Sequence, residues 1–174
     1  MALELDLPVV QIVGYQNSGK TSLACKLLAE GKRNNWKMSS IKHHGHGGTP
    51  SLNGMKDSEM HLQAGAIAAG VEGEGVFQLA LNSPGIKLDK IIMLYKALEM
   101  DVILVEGYKK EDYPKIVLLR SNEDFQLIQE LNNIIAVITS FEYTSQNDSF
   151  PYFHRDDDHL IVRWFSDYIK QRRG

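Results

Sequence analysis

Eight residues near the N-terminus, Gly14-Tyr15-Gln16-Asn17-Ser18-Gly19-Lys20-Thr21, satisfy the pattern G-x-x-x-x-G-K-[ST] at every fixed position. The flanks suit it. Val9, Val10, Ile12 and Val13 form a short apolar run that predicts a buried strand, and Leu23, Ala24, Leu27 and Leu28 recur at helical spacing. Strand, glycine-bounded loop and helix in that order form a cradle for phosphate. Backbone N–H groups of the loop and of the open first helical turn, through Ser22, point at a polyphosphate, and the helix dipole adds to the attraction. In such a cradle Lys20 reaches the β- and γ-phosphates, and Thr21 offers its hydroxyl to a magnesium ion (Mg2+). The chain is therefore expected to bind a nucleoside triphosphate.

Composition narrows the setting. At 174 residues the chain can bury a full core and is short enough for one domain, expected to span residues 1–174. A net charge of −3 argues against nucleic acid as a partner. No apolar run approaches the ~20 residues of a membrane span, and the acidic Met1–Asp6 stretch is unlike a targeting peptide. The single cysteine, Cys25, excludes an internal disulfide and is expected to be a buried structural thiol. A cytoplasmic protein is expected.

Apolar runs alternate with helical patterns along most of the length. Trp36–Lys42 predicts a second strand, residues 43–53 a loop, and residues 57–69 a helix closed by Gly70. Residues 76–81 alternate weakly before the turn Asn82-Ser83-Pro84-Gly85. Asp89 is placed as the N-cap of a helix whose Ile91, Ile92, Leu94, Tyr95 and Leu98 share one face. Residues 102–105, 116–119 and 134–138 are continuous aliphatic runs, as in strands covered on both faces. Residues 147–158 look loop-like, and Leu160 to Ile169 form a final amphipathic helix ending in Lys170, Arg172 and Arg173. This alternation predicts an α/β fold: a doubly wound, mostly parallel sheet in three layers around the phosphate loop. Ligands in such sheets sit beyond the carboxyl ends of the strands. Residues 14–21, 42–48, 106–110 and 139–140 are thus expected to converge on one crevice.

Three further groups carry chemistry. In Asp101-Val102-Ile103-Leu104-Val105-Glu106-Gly107, Glu106 ends the predicted strand and is the expected magnesium-side carboxylate opposite Thr21. Asp101 lies roughly 17 Å away at the other end. Gly107 would let the backbone approach the γ-phosphate closely. Lys42-His43-His44-Gly45-His46-Gly47-Gly48 places three of the six histidines in four positions, with no partner cysteines for a closed zinc site. A loop contacting nucleotide or substrate is the reading adopted, beside those of a metal site and a solvated polar loop. Asp57 opens the next helix and reads first as a first-turn charge. Asp156-Asp157-Asp158-His159 looks metal-like by composition but reads better as a solvated acidic run that favours a helix start.

Together these segments resemble the molybdopterin-guanine dinucleotide biosynthesis protein B (MobB) family. The resemblance rests on the phosphate loop, Ile41-Lys42-His43-His44, Lys56-Asp57-Ser58 with Ala64-Gly65-Ala66, Val105-Glu106-Gly107-Tyr108-Lys109 and Tyr113-Pro114-Lys115-Ile116. It implies a GTP-binding accessory protein of molybdenum-cofactor maturation with weak Mg2+-dependent GTPase activity. It also implies a homodimer, and a partner that is molybdopterin or the enzyme joining GMP to it. The family is similar to the nucleotide-binding group that includes dethiobiotin synthetase and the nitrogenase iron protein. On this chain it assigns residues 14–21 to phosphates, Thr21 and Glu106 to Mg2+, residues 43–48 to the site mouth, and Asp57 to an outer magnesium or water contact. Two departures stand out. Where related proteins often carry an extra lysine early in the loop, this chain has Tyr15 and Gln16, so hydrolysis should be slow. No N-K-x-D is present, and Val137-Ile138-Thr139-Ser140 lacks an aspartate for guanine. A small-molecule kinase or ligase of the dethiobiotin-synthetase kind, and a nucleotide-dependent regulatory switch, are the alternative functions.

Overall fold

The computed structural model describes residues 7–44, 56–143 and 149–173. The chain divides into two compact units, residues 1–43 with 88–174, and residues 44–87.

The larger unit is built on six parallel strands. They are β1 (Val9–Gly14), β2 (Met38–Lys42), β5 (Val102–Glu106), β6 (Lys115–Leu119), β7 (Ile134–Thr139) and β8 (Tyr152–His154), in the order β2-β5-β1-β6-β7-β8. The aliphatic runs read from the sequence fall on β1, β5, β6 and β7. Alternation along β1 shows why both faces must be covered. Val10 and Ile12 pack with Leu23, Ala24 and Leu27 of α1 (Lys20–Arg33) and Ile161, Phe165 and Ile169 of α5 (Asp158–Arg173). Val9, on the opposite face, packs with Leu88 and Ile92 of α3 (Leu88–Ala97), and Val13 with Leu127 of α4 (Gln126–Glu130). Helices on both sides of a parallel sheet make the three-layer fold that the alternation predicts.

Three details of this unit differ from expectation. Cys25 is exposed, because α1 buries the face of Leu23, Ala24, Leu27 and Gly31 and residue 25 projects from another. Within the loop-like segment 147–158, Tyr152–His154 pairs with β7 as the edge strand β8, its backbone satisfied by the neighbouring ladder. Asp89 lies inside the first turn of α3, one residue past its start, and accepts a hydrogen bond from the Tyr113 hydroxyl at 2.7 Å.

The smaller unit contains α2 (Lys56–Gln63) and an antiparallel hairpin, β3 (Ala68–Gly73) with β4 (Val76–Leu81). The expected helix over 57–69 ends early. Ala66 N–H bonds to the His61 carbonyl and Gly65 N–H to that of Leu62, with Gly65 at φ +111°. This paired closure around a left-handed glycine stops the helix before Ala68, and the chain enters β3. The residues after it are needed in the ladder, so Gly70 sits in a strand rather than at a helix end.

Candidate phosphate and cation site

β1 delivers the chain to the loop at Gly14, where a side chain has no room. A Cβ there would lie 2.6 Å from Ser18 Oγ and 2.8 Å from the Leu118 carbonyl oxygen. Ser18 Oγ is buried beside that gap and has no hydrogen-bond partner among the described residues. Gly19, at φ +92°, sets the entry to α1. Among the described residues no side chain caps the helix, and no acidic residue occupies its first turn. The uncapped N–H groups and the dipole are therefore left for an external anion. Asn17 adopts a left-handed φ of +60° and Ser18 N–H closes the turn on the Tyr15 carbonyl at 3.3 Å.

Lys20 folds back over the loop, donating to the carbonyls of Gly14 at 3.0 Å and Tyr15 at 2.7 Å. Burial lowers its pKa below the ordinary lysine value. Glu106 opposes that shift, whereas Lys42 and Arg120 reinforce it. An ammonium held among other cations is stabilised by an arriving anion.

The next residue meets the end of β5. Thr21 Oγ1 donates to the Glu106 carboxylate, with both oxygens at 3.0 Å. Lys42, at the end of β2, places Nζ 3.1 Å from Thr21 Oγ1 and 3.3 Å from Glu106 Oε1. Register explains the convergence, since Glu106 is level with Ile12 on one side and Lys42 on the other. A hydroxyl and a carboxylate are hard oxygen donors of the kind magnesium uses, and the Lys42 ammonium already answers their negative field. Residues Thr21 and Glu106 thus fit a divalent cation. Asp101, at the opposite end of β5, accepts from Arg173 and from Lys37 N–H, each at 2.7 Å, and serves the scaffold.

Gly107 turns the chain after Glu106 at φ +91°, and a Cβ there would stand 3.1 Å from His43 Cβ. The His43 ring lies 4.4 Å from that of Tyr108. Buried Gln11 holds this turn from below. Its Nε2 donates to the carbonyls of Gly107 and Tyr108 at 3.0 and 2.8 Å, and its Oε1 accepts from Tyr113 N–H at 3.2 Å. Reading the sequence did not single out Gln11; the only available signal was one polar residue inside the apolar run of β1.

Arg120 was also missed. Just beyond β6, its guanidinium donates to both oxygens of Asp124, at 3.0 and 3.2 Å, and to the Gln16 carbonyl at 3.1 Å. It lies 5.5 Å from the centre of the Tyr15 ring. The Arg120 hydrogen bond is the main reason the Asp124 carboxyl has a lowered pKa, with burial opposing it. Arg120 thus braces the first half of the loop from the β6 side.

The geometry therefore joins Gly14, Lys20, Thr21, Lys42 and Glu106, with Tyr15, Gln16 and His43 at the edge. His44 and Asp57 belong to the smaller unit, where both are exposed. His46 and the rest of 45–48 lie outside the described residues. Asp156 and Asp158 pair separately, with His154 and Lys26. Among the described residues no three or more His, Cys, Asp or Glu side chains gather as a metal cluster.

A parallel sheet with a glycine-bounded loop running into an uncapped helix defines the phosphate-loop class of α/β proteins. Residues 9–140 match the family model MobB, molybdopterin guanine dinucleotide synthesis protein B. A Bacillus subtilis (strain 168) protein described as a probable molybdopterin-guanine dinucleotide biosynthesis adapter protein is 40% identical over 158 residues, covering 90% of this chain and 91% of the relative. A Haemophilus influenzae protein described as a molybdopterin-guanine dinucleotide biosynthesis adapter protein is 31% identical over 136 residues, covering 78% of this chain and 76% of the relative. The crystal structure of a MobB protein homologue from Bacillus stearothermophilus superposes with a TM-score of 0.76 at 38% identity, covering 94% of this chain and 98% of that one. The chain belongs to the MobB family.

Proposed function

We propose that this chain is a GTP-binding accessory protein of molybdopterin-guanine dinucleotide biosynthesis, with slow Mg2+-dependent hydrolysis. The observation that carries the nucleotide part is the meeting of Thr21, Glu106 and Lys20 at one end of an uncapped helix. The relatives' description as biosynthesis adapter proteins supports the pathway part. Loop N–H groups and Lys20 would grip the β- and γ-phosphates, Lys20 exchanging its two carbonyl partners for phosphate oxygens. Thr21 and Glu106 would hold Mg2+, which when bound supplies charge neutralisation at the β- and γ-oxygens.

Slow turnover follows from what surrounds the γ-phosphate end. Tyr15 and Gln16 bring no positive charge, and the Arg120 guanidinium is taken up by Asp124 and the Gln16 carbonyl. Beyond Lys20 and Lys42, charge developing on the transferred group would then meet few fixed cations among the described residues. We read residues 1–174 as one nucleotide-binding domain carrying residues 44–87 as an insertion. A cytoplasmic setting agrees with the finding that no helix among the described residues is long and apolar enough to cross a membrane.

The homodimer has a candidate surface. In the hairpin, Phe77, Leu79 and Leu81 share one face and are 61%, 44% and 45% exposed. Two strands alone are marginal in water, and their open edges invite pairing with another chain. A second copy carrying the same self-complementary strip would supply that cover. The partner is either molybdopterin itself or the enzyme that transfers GMP to it.

The deciding experiment follows the γ-phosphate of GTP and ATP in the presence of Mg2+. Tight GTP binding with slow release of phosphate to water, indifferent to small acceptors, is expected. Transfer to a small acceptor at about 1–100 s⁻¹ would replace this reading with that of a kinase.

A further inference from the structure

We propose that a pocket beside the first turn of α1 receives the purine base of the nucleotide and that Asp156 selects guanine there. This rests on the reading that the chain binds a nucleoside triphosphate. The pocket has a volume of about 220 Å³ and is continuous with Ser18, Gly19 and Ser22 of the phosphate loop and helix start. Its direction is set by the sheet. Thr21 and Glu106, which would hold the cation, meet on the β5 flank of the loop, whereas β6 and β7 lie on the opposite flank. A triphosphate anchored by its β,γ end at the cation must carry its nucleoside the other way. The pocket occupies that side.

Its size and walls suit one heterocycle. Complete small-molecule sites usually measure about 300–1,000 Å³, so this volume takes a ring system while the phosphates lie along the open loop. Leu118, Ile138 and Ile161 provide apolar contact for flat ring faces, and Ser140, Arg155 and Asp156 add polar groups. The other three charged residues of the lining are already engaged: Arg155 donates to Ser140 Oγ at 3.3 Å, and Asp158 is paired with Lys26. Asp156 differs. Its side chain is 80% exposed and faces only the His154 ring, at 3.6 Å, among its ion-pair neighbours in the described residues.

A carboxylate accepts hydrogen bonds and donates none. Guanine offers adjacent donors, N1–H and the C2 amino group, which two carboxylate oxygens can accept side by side with charge assistance. Adenine presents an unprotonated N1 at that edge and would be repelled. The aspartate absent from the end of β7 is thus supplied from the turn after β8, by a residue distant from any guanine motif in the sequence.

The test is calorimetric titration of the full chain with GTP, ATP and xanthosine triphosphate, each with Mg2+, for the wild type, Asp156→Asn and Lys20→Ala. Xanthine carries a C2 carbonyl, which an asparagine amide can donate to and a carboxylate repels. Wild type should prefer GTP, and Asp156→Asn should lose roughly 10- to 100-fold in GTP affinity while gaining for xanthosine triphosphate. Wild-type GTP affinity in Asp156→Asn with no such gain, or equal wild-type affinity for GTP and ATP, would overturn the assignment. Should GTP binding depend on Lys20 yet ignore Asp156, only this inference falls. A wild-type chain that binds no triphosphate would remove it together with the function proposed above.

Discussion

The six-stranded sheet and the β3–β4 hairpin solve the same problem to different degrees. In the sheet, β1 is paired on both edges and its residues are covered on both faces by helices. Among the described residues each strand of the hairpin has one partner, and Val71, Val76, Phe77, Leu79 and Leu81 remain exposed. The first arrangement is complete within one chain and can hold side chains still at its strand ends. The second leaves apolar area that is stable only when something covers it. In the proposed function, positioning falls to the sheet and association to the hairpin.

Substitutions can break that division. The largest effect is expected from Lys20→Ala, which removes the ammonium that the proposed function sets against phosphate. Triphosphate affinity should fall at least about a hundredfold in a calorimetric titration, equivalent to roughly 3 kcal/mol. Oligomeric state should be untouched, as judged by sedimentation. Phe77→Asp reverses the pattern: nucleotide binding should survive while the dimer constant rises by about thirtyfold, the loss expected for a central apolar anchor. A Phe77→Asp chain that stays dimeric would remove the hairpin from the interface. Glu106→Gln should weaken the Mg2+ dependence about tenfold and nucleotide affinity less, because it keeps the shape and removes the charge from the side proposed for the cation. An unchanged Mg2+ titration would detach Glu106 from the site.

The smallest effect concerns the brace behind the loop. The Asp124 carboxyl has a lowered pKa in the folded chain, chiefly through Arg120, so the stability it contributes is present above the ordinary aspartate range near pH 4. That contribution is lost as pH falls through the depressed folded value. Asp124→Asn should therefore lower Tm by about 2 °C at neutral pH and flatten the acid limb of a Tm-against-pH curve. Parallel curves for variant and wild type would show that the pair does nothing for stability.

The contrast between the two regions also explains what could be read from sequence. Buried parallel strands write themselves as unbroken aliphatic runs, so β5, β6 and β7 were visible, and the phosphate loop is a linear motif. The hairpin strand β3, Ala68-Ala69-Gly70-Val71-Glu72-Gly73, has alanines and glycines that carry little strand preference, and its first two residues fall within the helix that the sequence predicts over 57–69. Contacts joining distant residues were equally hidden. Glu106 could be placed near Thr21 by strand-end logic, but Lys42 beside both depends on the β2–β5 register. The Arg120 brace and the pocket contribution of Asp156 depend on turns that no periodicity foretells.

Gln11 carries a consequence for which substitutions the scaffold can accept. The position must give two protons to carbonyls of the 107–108 turn and take one from a backbone amide. Glutamate in its ionised form and methionine have nothing to give, leucine can neither give nor take, and asparagine is a methylene too short. Of the twenty side chains, a carboxamide of this one length reconciles a dry strand interior with a bend that must keep its shape. The alphabet at residue 11 therefore has a single letter.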